Sequence, residues 1–422
     1  MKCDVIIIGA GIAGLRAGIR ILTTQPHLKC IILEKYNYKG GRVFTYRDTI
    51  PGVGKVQWES GAGRISHTHK KILGLLKKYE LTTYPISGDS TYLCEPGNVI
   101  QNRFSDIHRI YLEPFRNLPH ELLQTHTLGQ ISEMVLGKAR THELYSQFPY
   151  FSEIHTLRAD HAMYVFDYEM GSMDGFVGCK EGMSSLTDNM ADEFEQLGGK
   201  ILMNCEVSSV TSLQNGSTKI SCKHDTYIAP ICIMTVPSES MKHIRGVNHL
   251  PILDKLVMNP LLRMYAVFPV KKGKSWFSEL PKVVTSDSIR FIIPIDPSKG
   301  TIMISYTDGN DARYWTRKKQ SDLENEVMRH IRALFPDLDI PDPIFFKTHH
   351  WHNGCTYWKP GHYDVFQESN QSLHPDPINL PGLFLCGESF AALQCWMECA
   401  IEQADKLMNH HAFQSALKSI KP

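Results

Sequence analysis

A chain of 422 residues with an apolar fraction of 42% has room for two or three domains with proper cores. Its 45 Lys and Arg against 44 Asp and Glu leave a net charge of +1, which gives no reason to expect nucleic acid, an anionic membrane surface or a polyanionic substrate. No apolar run approaches the ~18 residues of a membrane span, and the N-terminus enters a strand pattern at once without a signal-peptide layout, so an intracellular, cytoplasmic protein is expected.

Residues 4–8 are Asp4 and an unbroken β-branched run, followed by Gly-Ala-Gly and by Leu15, Ile19 and Leu22 at helical spacing. That order reads as strand, tight turn, helix. Residues 29–34 form the next strand and complete a β-α-β unit, whose parallel strands need cover on both faces and imply a layered α/β domain. From about Ile65 the pattern turns helical and polar, with one helix over 70–79 and a loosely patterned, aromatic-rich stretch over 103–150. A helix over 182–198, short strands over 200–204 and 207–213, and further strands including 228–236 and 262–270 carry the chain to about Tyr306. Lys271-Lys272-Gly273-Lys274 reads as a solvated turn, 322–335 as a helix and 337–343 as a loop. The last segment is a strand over 382–386, a Gly387-Glu388 turn and a helix over 394–408.

Eleven cysteines show no paired spacing, and Cys30, Cys205, Cys232 and Cys386 lie in apolar runs, which points to reduced thiols. His67 with His69, and His349, His350 and His352, are dense enough to weigh zinc. No second ligand cluster accompanies them, so they read as loop residues and no metal is expected.

In Gly9-Ala10-Gly11-Ile12-Ala13-Gly14, between strand and helix, each glycine has its own task. The first permits the turn, the second lets a pyrophosphate approach the backbone, and the third lets the helix pack on the sheet. The helix N-terminus then offers unpaired N–H groups and a positive dipole end to phosphate. Glu34, at the end of the following strand, is placed to accept ribose hydroxyls. This pattern specifies a dinucleotide without separating NAD from FAD.

Three further pieces do separate them. Gly40-Gly41-Arg42 follows Glu34, Glu206-Val207 lies mid-chain, and Phe384-Leu385-Cys386-Gly387-Glu388-Ser389 precedes Trp396-Met397-Glu398-Cys399-Ala400. In this order they resemble the motifs of the flavin amine oxidase superfamily. The resemblance implies FAD, with Gly41 and Arg42 at the pyrophosphate, the Val207 backbone at adenine and Glu388 at the ribityl or phosphate region. The helix beginning near Trp396 and Met397 would point its N-terminus at the flavin pyrimidine. It also implies a Rossmann-like FAD-binding domain of the glutathione-reductase type, discontinuous over 1–66, 180–240 and 346–422. A mixed α+β substrate domain with a helical insertion would span 67–179 and 241–345.

On the substrate side, Glu59-Ser60-Gly61-Ala62-Gly63-Arg64 resembles the segment in which L-amino acid oxidases carry a carboxylate-gripping Arg. Gly61, Ala62, Gly63 and Arg64 are expected beside the cofactor as well. A further likeness is to members that oxidise tryptophan in violacein biosynthesis, which share Gly-Ala-Gly-Arg and the Tyr306-Thr307-Asp308 stretch. Arg suits the task because its planar fork pairs a carboxylate through two parallel hydrogen bonds. Tyr306 would be the second hand on the carboxylate, and Trp396 with Tyr357 or Trp358 would wall the substrate cavity. A structural ion pair or a cofactor contact is the alternative for Arg64, and core packing the alternative for the tyrosines.

Many family members place a Lys near the flavin N5. Here Arg263 stands there and cannot readily lose its proton. Cys355 lies near the site of covalent flavin attachment in monoamine oxidases, but Pro360-Gly361 follows two residues too early for that alignment. The expected reaction is FAD-dependent oxidation of an amino-group-bearing substrate, above all an L-amino acid, with molecular oxygen as second substrate and hydrogen peroxide as product. A polyamine or monoamine oxidase is the alternative within the class. A flavin-bound protein with decayed catalysis, acting as a binding partner, is the alternative outside it. A homodimer stays open, and neither nucleic acid nor membrane is expected as a partner.

Overall fold

Val5–Ile8 is buried along its whole length and pairs in parallel with Cys30–Leu33 on one side and Ile231–Met234 on the other. Lys200–Leu202 and Leu383–Leu385 extend this to a five-stranded parallel sheet ordered 200–202, 30–33, 5–8, 231–234, 383–385. The computed structural model describes residues 1–420 apart from 89, 96–97, 103–111, 147 and 168–174. Because strand side chains alternate between faces, one run of apolar residues serves two cores. Val5, Ile7, Ile32 and Ile233 meet the helices Ile12–Thr24, Ser184–Gln196 and Met397–Asn409. Ile6, Ile8, Ile31 and Cys232 face the other way, toward a three-stranded meander of Val207–Ser212, Thr218–Cys222 and Thr226–Ala229.

A second, seven-stranded sheet runs in the order 345–358, 256–267, 301–308, 291–296, 283–285, 90–95, 98–102. Its described pairings are antiparallel except Val283–Thr285 with Ser90–Glu95. Helices Gly309–Thr316 and Gln320–Leu334 seal one face over a core of Leu262, Met264, Ile302, Ile304, Trp315 and Ile331. Short helices between 113 and 165 stand beside this sheet; one of them, Leu128–Leu136, starts from a capping box of Thr127 and Gln130.

Several expectations need correction. Beyond the Lys70–Lys78 helix, the stretch after Ile65 holds the strands Ile65–Ser66, Thr83–Ile86, Ser90–Glu95 and Asn98–Asn102. Strands of two to six residues are too short to show alternation, and Thr83–Ile86 finds its partner only at Phe176–Cys179. Residues 103–111 of the aromatic-rich stretch lie outside the described residues. His349, His350 and His352 are not in a loop: they lie on the 14-residue strand Phe345–Trp358. The last long helix begins at Met397, since Cys395 (φ +72) and Trp396 (φ −120) hold the chain open just before it. Among the described residues, ten cysteines are free of disulfides, and no helix is long and apolar enough to cross a membrane.

Candidate active site

The glycine turn shows why each position excludes a side chain, or does not. A Cβ at Gly14 would stand 2.1 Å from the Gly9 carbonyl, and one at Gly9 (φ +108) 2.8 Å from Thr235 Oγ1. A Cβ at Gly11 would meet nothing within 4 Å. Gly9 and Gly14 are therefore demanded by the protein's own packing, whereas Gly11 faces open space at the N-terminus of Ile12–Thr24. That space opens into a cavity of ≈ 1080 Å³, at the upper end of the roughly 300–1,000 Å³ usual for ligand pockets.

The residues expected at the cofactor or the substrate line this cavity, except Gly14 and Trp358. At one end lie Gly9, Gly11, Ala13, Glu34 and Val207. Glu34 accepts the backbone N–H of Ala10 at 2.8 Å and of Tyr36 at 2.9 Å, which fixes its carboxylate while leaving acceptor positions for ribose hydroxyls. Gly40 donates to Ala10 O at 2.9 Å and draws Gly41 and Arg42 over the turn. Arg42 Nη1 donates to Gly354 O at 2.9 Å, and Nη2 meets Glu388 Oε2 at 2.8 Å. Glu388 also accepts from Thr356 N (2.9 Å), Thr356 Oγ1 (3.0 Å) and Cys395 N (3.0 Å). Four donors fill the lone-pair positions of one carboxylate, so Glu388 acts in this structure by holding Arg42 and the 395 turn.

At the other end stand Gly61, Ala62, Gly63, Arg64, Arg263, Tyr306, Gly387, Trp396 and Met397. Arg64 lies with its guanidinium 5.3 Å from the Phe176 ring centre, beside the Tyr150 hydroxyl and near Tyr306, and no described carboxylate comes within ion-pair distance of it. Arg263 packs 4.9 Å over the Tyr306 ring and donates to Glu59 O at 2.8 Å and also to Gly61 O. It thus braces the loop that presents Arg64. Burial pushes the Tyr306 hydroxyl well above its ordinary pKa. Trp396 is set between the His69 edge, 4.9 Å away, and the Phe176 ring, 6.1 Å away. The Met397–Asn409 helix turns its N-terminus to the cavity next to it.

Of the two aromatic candidates on the Phe345–Trp358 strand, Tyr357 lines the cavity. Trp358 points the opposite way and donates to the carbonyls of Ala391 and Ala392 at 3.2 Å each. Cys355 is in the wall as well. Sequence reasoning missed Tyr150, Glu153, Phe176, Trp351 and Cys395, all at this cavity or in contact with its residues. The aromatic richness around Tyr150 was the one available signal. Glu153 is only 8% exposed, and its carboxyl is pushed up to about 8 by burial and by the nearby Asp308. Among the described residues no group of three or more His, Cys, Asp or Glu is arranged to hold a metal ion.

The profile of the flavin containing amine oxidoreductases matches residues 12–406. The chain belongs to that family. Its members carry a flavin, and the open space at Gly11, the anchored Glu34 and the Arg42 guanidinium form a cradle that fits FAD. Among curated relatives, amine oxidase (flavin-containing) B of Homo sapiens is 33% identical over 87 residues, 20% of this chain and 15% of that protein. The L-amino-acid oxidase of Mus musculus is 30% identical over 146 residues, 32% of this chain and 20% of that protein. The alignments thus span a fifth or less of these relatives. Cyclohexylamine oxidase from Brevibacterium oxydans superimposes with a TM-score of 0.75 at 18% identity, covering 99% of both chains. A putrescine oxidase variant gives 0.73 at 16%, again over 99% of both. At such identities the superpositions establish a common fold.

Proposed function

We propose that this protein is an FAD-dependent oxidase whose substrate is an L-amino acid. The observation that carries the reading is Arg64: a guanidinium in the cavity wall, backed by the Phe176 ring and flanked by Tyr150 and Tyr306, with no described carboxylate paired to it. A half-buried cation with no described carboxylate at ion-pair distance favours an anionic ligand, and a forked donor beside a phenol fits a carboxylate. Arg64 and Tyr306 would hold the substrate carboxylate, while Trp396 and Tyr357 would confine the amino-bearing carbon between aromatic faces and exclude water. Arg263 would keep the Arg64 loop in place, and the helix N-terminus at Met397 would stabilise negative charge arriving at that end of the cavity.

When bound, the flavin supplies the hydride acceptor and, through reoxidation by molecular oxygen, the release of hydrogen peroxide. On this reading segments 1–66, 180–240 and 346–422 hold the cofactor, and 67–179 with 241–345 shape the substrate space.

The test is anaerobic mixing of the holoprotein with a panel of L-amino acids and their decarboxylated amines, following loss of the flavin absorbance. At least one amino acid should reduce the flavin faster than its amine. Arg64→Leu should raise KM for that amino acid roughly 100-fold while changing amine oxidation little. Amines reacting faster, or equal losses on both classes, would reject the carboxylate clamp, and bleaching by none of them would favour a binding role.

A further inference from the structure

We propose that Glu153 accepts the proton which the substrate's ammonium group must lose before its carbon can surrender a hydride. The inference rests on the amine-oxidising reading above. A primary amine enters mostly protonated at neutral pH and has no lone pair to support a forming C=N bond. Some group must take that proton: the N–H bond breaks, an O–H bond forms on Glu153 Oε2, and the electron pair stays on nitrogen. The neutral carboxylic acid returns its proton to solvent between turnovers.

Other groups at this end of the cavity are poorly suited. Arg64 and Arg263 cannot readily lose a proton, and Arg263 is already committed to two backbone carbonyls. Tyr306 and Tyr357 are buried phenols held above their ordinary pKa, and burial does the same to Cys395. Asp308 spends its two oxygens on the backbone N–H groups of Phe151 (3.1 Å) and Ser152 (2.8 Å). His161 is bound through Nε2 to Ala392 O and is pushed down to about 4 by burial.

Glu153 differs on each count. Its side chain faces the cavity, is more than nine-tenths buried, and its Oε2 has no hydrogen-bond partner. The groups around it are Asp308 and, through Arg64, Tyr306 on strand Thr301–Asp308, Tyr357 on strand Phe345–Trp358, Arg64 on its loop and Cys395 before the last long helix. Since Asp308 clasps the start of the Phe151–His155 helix, Glu153 and Tyr306 are tethered to one strand and keep a fixed relation. An unperturbed carboxylate would be too weak a base to take an ammonium proton readily. One shifted up to about 8 exchanges it at small cost.

The test compares wild-type holoprotein with Glu153→Gln in anaerobic flavin reduction from about pH 6 to about pH 10, using the fastest substrate of the panel. The variant should be slower by roughly 100-fold near neutrality and should converge on wild type near pH 10, where the free amine itself is abundant. A deficit of constant size across the range, or one confined to substrates with a second ammonium, would overturn the proposal. A wild type that is reduced by no substrate would instead sink the parent reading, so the two failures are distinguishable. Should Glu153→Gln not fold with flavin, the wild type carries the same information. Its kcat/KM must show an enzyme group titrating at a pH that stays constant while the substrate's amine pKa is varied, and a profile set by the amine alone would reject the role.

Discussion

A methyl group added at Gly14 and one added at Gly11 should act in different ways. At Gly14 it would collide with the Gly9 carbonyl, so Gly14→Ala should destabilise the apoprotein itself, by about 1–3 kcal/mol. At Gly11 (φ −74) the new Cβ meets no protein atom within 4 Å but projects into the space that a pyrophosphate would take on the proposed reading. Gly11→Ala should keep the apoprotein melting point and weaken FAD binding; a melting scan and an FAD titration of each variant separate the two effects. Glu59 offers a test by pH. Burial pushes its carboxyl from 4.5 up to about 7, so the folded state holds that proton more tightly than the unfolded chain. The associated stability is present below about pH 4.5 and is lost as pH rises through about 7, on the order of 3 kcal/mol in all. Glu59→Gln should flatten that decline in urea-unfolding midpoints measured between pH 5 and 8, and parallel curves for the two proteins would refute it.

At the scale of elements, the clearest tie is between two helices. Glu398, in the first turn of Met397–Asn409, accepts the backbone N–H of Lys71 (2.8 Å) and Ile72 (2.9 Å) at the start of Lys70–Lys78. It caps a helix other than its own, so Glu398→Ala should cost about 1–2 kcal/mol in chemical denaturation. Since Trp396 sits two residues away, the same variant should shift the flavin absorbance band. The elements legible in the sequence are those governed by local sterics. The 5–8 strand, the glycine turn and the 12–24 helix follow from β-branched residues, backbone clearance and helical spacing, all within one short window. Phe345–Trp358 escaped because its His-rich part offers no apolar-polar alternation in sequence, although His349 and Trp351 are half-buried and His350 and His352 exposed, while its register is set by pairing with Leu256–Val267 nearly a hundred residues earlier. Glu153 was illegible, and Tyr150 visible only as part of an aromatic-rich stretch, for a related reason. Their place in the cavity depends on Asp308 reaching back 156 positions to Ser152.

The cavity as a whole is walled by segments from both chain ends and the middle, from Gly9 through Val207 to Met397. A ligand bound there holds together parts that the backbone connects only distantly. FAD should therefore raise the melting point in a concentration-dependent way, by about 4 kcal/mol of linkage free energy at a thousandfold excess over Kd. A chain truncated before Leu383 would lack an edge strand of the parallel sheet and the Trp396 wall. It should show no such rise, and a full-length protein whose melting is indifferent to FAD would contradict the cradle.

The five-residue helix Phe151–His155 belongs to neither sheet. Side chains fasten both of its ends: Asp308 accepts from two amides at its start, and Asn259 donates to the hydroxyl of Ser152 and, at its C-cap, to that of Thr156, at 2.8 Å each. On the proposed reading, a lineage could redraw this small cassette, and with it the choice of substrate, without touching the glycine turn at the other end of the cavity. Laboratory evolution aimed at new substrates would do well to randomise 149–152 and 154 first, keeping Glu153 and the glycine turn.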